Sequence, residues 1–262
     1  MSKNNLTDVT FLIPVRIDSI DRLENINLIL KFIKENFITT IKLLEADNVE
    51  KLHNHLIDKK IFLFDKNSIF HHTKFRNILA RNIETPLIIF WDTDIIISPI
   101  QIIEAVTLLR KNKREFIIPY NGKVYLIDSV LKQIFCKNNS VRFLQNNRKK
   151  MLLMYGTFSV GGIFICRLDD YWIAGGENEN FYGWGPEDIE RIKRWEILGY
   201  KVTFLKGSIY HLHHIRLKNS WYGSYEIELQ NKKELIKVCR ESPEELKNYI
   251  NGWEWKETHE GN

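Results

Sequence analysis

The sequence predicts an α/β protein with a mixed, mostly parallel sheet flanked by helices, and three observations carry that expectation. Short, continuously apolar runs recur at Val9–Val15, Ile41–Leu44, Ile61–Phe64 and Leu87–Trp91, lengths that suit buried strands. Stretches long enough for helices lie between them. The two kinds of segment alternate, as a parallel sheet with helices on its faces requires.

Val9–Val15 is closed by Pro14, and Asp18 or Ser19 can cap a following helix in which Leu23, Ile26, Leu30 and Ile33 recur at helical spacing. Ile41–Leu44 runs into Glu45-Ala46-Asp47-Asn48, and Leu87–Trp91 runs straight into Asp92. Helices are expected at Asn48–Asp58 and Phe70–Ile83. Further on, Phe116–Pro119 and Lys123–Ile127 read as short strands and Asp128–Lys150 as a polar-faced helix. Ser159–Cys166 is apolar and holds Gly161-Gly162; a loop-rich stretch then leads to Pro186. Helical spacing returns over Glu187–Leu198, and Lys201–Leu205 reads as a strand. No repeat or low-complexity linker divides the chain, so one unit is expected over residues 1–220, followed by a helical tail at 221–262 that carries Trp253 and Trp255.

At 262 residues and 44% hydrophobic content the chain can bury a sizeable core. No run approaches the roughly 18 to 20 apolar residues that cross a bilayer, and Val9–Val15 is too short for a signal peptide. The expected location is therefore the cytoplasm. Three widely separated cysteines, Cys136, Cys166 and Cys239, suggest neither a disulfide framework nor a CxxC metal site and are expected to be reduced thiols. A net charge of +5 is only mildly basic and on its own selects no partner. The basic cluster Arg148-Lys149-Lys150 ends a helix-like stretch, where the helix dipole favours cations, and is given no function.

In parallel sheets ligands bind beyond the carboxyl ends of the strands, so Arg16, Glu45 and Asp92 to Asp94 should converge on one crevice. Asp92 and Asp94 flank Thr93, and two carboxylates so spaced can share a hard divalent cation. A lone pair of this kind also arises by chance in surface loops. Its place behind a buried strand strengthens the functional reading, because charges beside a core need partners. In Gly183-Trp184-Gly185-Pro186-Glu187-Asp188 the glycines allow a tight turn that presents the indole, and Pro186 suits a helix start. Glu187 and Asp188 then either simply complement the helix dipole or act as a base and a sugar-binding group. His211-Leu212-His213-His214 gathers three of the chain's eight histidines, either as buried, hydrogen-bonded side chains or as ligands of a Mn2+-like ion.

From Gly161-Gly162 through Gly175-Gly176 to Gly183–Asp188, the chain resembles the C-terminal signature of the β-1,4-galactosyltransferase-like family, with bacterial capsule and chondroitin-type polymerases as more distant relatives. Ile13-Pro14-Val15-Arg16 and the run from Phe70 to Asn77 agree in order, so the likeness covers most of residues 9–216. It implies the GT-A (nucleotide-diphospho-sugar transferase) fold, with a nucleotide-binding half at 1–100 and an acceptor half at 101–220. Pro14, Val15 and Arg16 would line a uridine pocket, and Asp18, Glu45, His72, Lys74, Asn77, Asp92 and Thr93 would join the donor side. His72 stands where the family usually has an arginine. Asp94 and His214 would hold the metal, with His211 as a second ligand and His213 left open. Trp184, Gly162, Gly185 and Glu187 would hold sugars, and Asp188 would be the catalytic base beside Glu187. Ile189 departs from the family's longer acidic run.

The function so implied is an inverting, Mn2+- or Mg2+-dependent transfer of a hexose or N-acetylhexosamine, galactose type favoured, from a UDP-sugar to a saccharide or glycolipid acceptor. Its expected setting is bacterial surface polysaccharide synthesis, with room for peripheral contact with the inner face of the membrane and no nucleic acid partner. Rival readings are a UDP-sugar-binding protein without transfer, a metal-dependent UDP-sugar hydrolase, and a basic nucleic-acid-binding domain. The last lacks aromatic residues interleaved with lysine or arginine on a recognisable sheet.

Overall fold

The chain opens with β1 (Asn4–Val15) and α1 (Ile20–Asn36), followed by β2 (Phe37–Asp47), β3 (Lys59–Phe64), α2 (His72–Ala80) and β4 (Leu87–Trp91). A computed structural model describes residues 3–111, 115–154, 158–217 and 222–257. Next come β5 (Ile95–Ile97), α3 (Pro99–Lys111), β6 (Glu115–Ile118), β7 (Val124–Ile127), α4 (Ser129–Asn138), α5 (Val141–Asn147) and β8 (Leu152–Leu153). The remainder comprises β9 (Ile163–Arg167), α6 (Leu168–Ile173), α7 (Glu187–Ile197), β10 (Lys201–Phe204), β11 (Ile209–Leu212), α8 (Tyr225–Arg240), α9 (Pro243–Asn251) and α10 (Glu254–Glu257).

Seven strands form the main sheet in the order β10-β6-β9-β4-β1-β2-β3. All neighbours run parallel except β9, which is antiparallel to both β4 and β6. Every residue of β4 is buried, as expected of a strand covered on both faces. A second sheet, β5-β11-β7-β8, lies beyond the end of β4. Its register sets His211 opposite Ile95, the residue after Asp94.

The helix expected at Asn48–Asp58 does not form. The Glu45 carboxylate accepts the backbone N–H groups of Lys51 and Leu52, and Asp58 accepts that of Ile41. These side chain-to-backbone bonds replace a helical ladder and pin Leu52 into the core. The helix expected over Asp128–Lys150 is broken into α4, α5 and a 3-10 turn at Arg148–Lys150. Asn139 adopts the left-handed region at φ 44°, and the Ser140 hydroxyl caps α5 by accepting from Phe143 N–H. Ser19, not Asp18, caps α1 through Arg22 N–H.

The tail packs on the body through α8 and α9, which lie against α7. Ser242 and Glu245 form a reciprocal capping box at the start of α9. Trp253 is buried, whereas Trp255 is only partly so. The three cysteines are free thiols, Cys166 buried and the other two exposed. Among the described residues, no helix is long and apolar enough to cross a membrane.

Candidate active site and metal centre

A cavity of about 480 Å³ opens beyond the ends of β1 and β4 and beside the N-terminus of α7. On its sheet side it is lined by Pro14, Val15, Arg16, Asp18, His72, Asp92, Thr93 and Asp94. Gly162, Trp184, Gly185, Glu187, Asp188, His211 and His214 line the rest, together with Arg22, Phe70 and Tyr222, which sequence reasoning had not singled out.

The turn after β4 is held from three sides. Trp91 is fully buried and donates its indole N–H to the Ile95 carbonyl across the turn at 2.8 Å. Asp92 N–H donates to Gly162 O at 2.9 Å, and Leu212 N–H donates to Asp94 O at 2.7 Å. The second bond brings β11 alongside the turn and with it the histidines. One ligand atom each from Asp94, His211 and His214 lie within 4.8 Å of one another. His214 Nε2 stands 3.2 Å from Asp94 Oδ2, and His211 Nε2 stands 3.7 Å from Oδ1. Burial opposes ionisation of Asp94, but His211, the hydrogen bond from His214, and Arg22 outweigh it and hold the carboxyl well below the usual range. Burial pushes the His211 imidazole down, towards the neutral form that ligates metals. One oxygen and two imidazole nitrogens form a donor set that suits a borderline divalent ion.

The other wall is the head of α7. Glu187 is almost fully buried and its Oε2 has no hydrogen-bond partner. Burial, reinforced by the charge of Asp188, raises its pKa well above the ordinary value and so favours the protonated form. Asp188 behaves oppositely. Burial again disfavours its charge, yet Arg191 and Arg76 together bring it down to about 2. Two adjacent glycines make room here, Gly161 for Asp188 and Gly162 for Ile95. A Cβ at Gly161 would stand 2.2 Å from Asp188 Oδ2, and one at Gly162, whose φ is +89°, would stand 3.1 Å from the Ile95 side chain. Trp184 meets Tyr222 edge to face at 4.9 Å between centroids, which makes an aromatic corner at the mouth.

Residues 143–218 match the family model described as the N-terminal domain of galactosyltransferase. Among solved structures, GalNAc-T7 with UDP, GalNAc and Mn2+ has a TM-score of 0.56 at 12% identity, over 87% of this chain and 47% of that one. The catalytic domain of Drosophila β1,4-galactosyltransferase 7 in complex with xylobiose has a TM-score of 0.52 at 15% identity, over 91% of this chain and 82% of that one. This chain has the GT-A fold. It spans about half the length of the GalNAc-T7 chain it matches. No curated protein matches its sequence.

Three expected members of the site, Glu45, Lys74 and Asn77, lie elsewhere in this GT-A chain, and so does His213, which the sequence left open. Glu45 is wholly buried, bonded to the 51–52 backbone and paired with Lys60 at 2.9 Å, so it shapes the loop after β2. Lys74 points away on the exposed face of α2. Asn77 is buried and its amide bonds Glu177 O, Glu179 Oε1 and the Tyr171 hydroxyl. His213 turns its imidazole towards Asp21, 4.0 Å away, outside the cluster of Asp94, His211 and His214. Arg16 does line the cavity, but its guanidinium is committed to Ala46 O, Asn67 O and Asp65, so it contributes a fixed wall.

Three arginines were missed. Arg22 bonds Thr93 at 3.1 Å and stands 3.6 Å from Asp94. Arg76 and Arg191 reach Asp188 from two helices. Spacing offered one signal for them: Arg76 follows His72 by four residues, which puts both on one face of α2.

Proposed function

We propose that this chain is an inverting, metal-dependent glycosyltransferase that moves a hexose or N-acetylhexosamine, galactose type favoured, from a UDP-sugar to a saccharide acceptor. The observation that carries the reading is the pairing on one cavity of a carboxylate–imidazole cluster with a carboxylate kept ionised at the head of a helix. The GT-A fold supports it, as do the UDP, GalNAc and Mn2+ in the GalNAc-T7 structure. The more distant relatives that the sequence resembles favour an acceptor belonging to a bacterial surface polysaccharide, handled on the cytoplasmic side of the membrane.

Asp94, His211 and His214 are the residues that would hold Mn2+ or Mg2+, and the ion would supply positive charge against the diphosphate of the leaving group. Pro14, Val15 and the fixed Arg16 wall receive the nucleotide. Asp188 Oδ2 takes the proton of the acceptor hydroxyl as that oxygen bonds to the anomeric carbon from the face opposite the departing UDP, which inverts the centre. A carboxylate with a pKa of about 2 cannot ionise a free alcohol, so the proton moves late, once bond formation has made the hydroxyl strongly acidic. Glu187, pushed towards its protonated form and with an unpartnered oxygen, would in that form offer both a donor and an acceptor to sugar hydroxyls. Trp184 gives the apolar face of a sugar a flat partner.

Asp188→Asn is expected to bind UDP with Mn2+ as the native chain does while losing about 10² to 10⁴ in the rate of UDP release. Near-native turnover of that variant would refute the role.

A further inference from the structure

Arg76 is 1% exposed, and its guanidinium is aimed at the cavity from behind. Nη2 lies 3.1 Å from Asp92 Oδ1, and Nη1 lies 3.4 Å from Asp188 Oδ1. These two carboxylates come from unrelated places, the end of β4 and the first turn of α7, and about a quarter of each side chain is exposed. A second arginine, Arg191, stands 2.8 Å from the same Asp188 Oδ1. Arg191 already satisfies Glu177 with two bonds, at 2.6 and 2.9 Å, so the 3.8 Å approach of Arg76 to Glu177 is a secondary contact. The close contacts of Arg76 are therefore with the two cavity carboxylates.

We propose that Arg76 is a positioning residue whose planar guanidinium ties Asp92 to Asp188, fixing the distance between the donor end of the cavity and the base. The inference rests on the reading of Asp188 as the base. A guanidinium presents its N–H groups in a rigid fork, so one side chain can set two carboxylates at once. Both arginines engage Oδ1 of Asp188, which leaves Oδ2, beside Gly161, as the oxygen that meets the acceptor. Burying two cations is costly unless carboxylates pair them. Here they meet the carboxylates at 92, 177 and 188. The groups that face Asp188 are Arg191 and Glu187 from α7, Arg76 and His72 from α2, Asp92 from the end of β4, and Tyr120 from the segment after β6. Arg76 and Arg191 are its nearest cations.

The test uses the full chain with Mn2+ and UDP-galactose, UDP-N-acetylgalactosamine or UDP-glucose, with UDP release followed from acid to neutral pH. Arg76→Gln is expected to lower kcat by about 10²-fold, with a much smaller change in KM for the donor. The acid limb of its pH profile should move up by about one unit or more, because the carboxylate at 188 has lost one of its cations. Arg76→Lys, which keeps the charge but cannot span both carboxylates, should return the limb towards its native position with kcat only partly restored. In the Asp188→Asn background, Arg76→Gln should add little. An unmoved limb in a folded Arg76→Gln protein, or an equal loss in both backgrounds, overturns the role of Arg76 alone. If Arg76→Gln does not fold, native kcat in Arg76→Lys overturns it. Native turnover in Asp188→Asn, or no UDP release from any of the three donors by the native chain, overturns the functional reading and the positioning role with it.

Discussion

The sheet-side wall of the cavity and the wall at the head of α7 differ in how they are held. Pro14, Val15 and Asp92 to Asp94 hang directly from β1 and β4, adjacent parallel strands whose apolar residues fill the core. Trp184, Glu187 and Asp188 depend on the loop between α6 and α7, which is anchored from outside the sheet. That anchor is the tail. Asn231 of α8 is buried, accepts from Tyr182 N–H and donates to the carbonyls of Tyr182 and Trp184. Glu234 accepts from the amides of Asn178 and Asn180. The comparison teaches that the walls proposed for nucleotide binding and for sugar transfer rest on separable supports, the first on the sheet and the second on side-chain bonds from a helix about 50 residues further along the chain.

Three substitutions probe that separation. The largest effect is expected of Gly161→Ala, whose Cβ would stand 2.2 Å from Asp188 Oδ2 and must displace the base. Turnover should fall by about 10²-fold, since a shift near 1 Å can cost that much. Mn2+-dependent UDP affinity should stay close to native; equal losses in both would mean that the two walls are not separable. Next comes Asn231→Ala, which removes the anchor of the loop. Urea unfolding should show a loss of about 1 to 3 kcal/mol, because buried peptide groups are left unpaired. Turnover should drop more than UDP binding does; a variant that loses UDP binding first would place the anchor on the wrong wall.

The smallest effect concerns His71, at the junction of α2 with Tyr182. Burial, helped by Lys74, lowers its pKa from 6.5 to about 4, and its ring meets Tyr182 edge to face at 5.1 Å. Because the folded value lies below the unfolded one, the unfolded chain takes up the proton first. Stability is therefore lost as pH falls from about 6.5 towards 4. His71→Phe should flatten the fall of Tm across that window, and an unchanged slope would contradict the assignment.

The same contrast explains what could be read in the sequence. Strands β1 and β4 and the acidic turn after β4 were legible because a continuous apolar run followed by charge is a local signal. The head of α7 was legible through its glycines and Pro186. By contrast, the 48–58 segment and the break at Asn139 were decided by side chains bonding to backbone, which periodicity does not register. Strands β5 and β11 were missed because three or four residues carry too little pattern, although their pairing is what brings His211 and His214 to Asp94. Glu45 looked like a site residue because it ends a strand, yet its carboxylate turned inward to hold a loop. Arg76 and Asn231 act across 16 to 112 residues of sequence, and no local pattern marks such contacts.

The claim on which the account depends is that Asp94 and the two histidines hold a divalent ion for a nucleotide diphosphate. Thermal unfolding of the chain with UDP, Mn2+, both or neither tests it most directly, since a ligand that binds only the folded state raises Tm. The account predicts a shift with UDP and Mn2+ together that greatly exceeds the sum of either alone and that disappears in Asp94→Ala. A UDP shift that ignores Mn2+, or one that survives intact in Asp94→Ala, would contradict it.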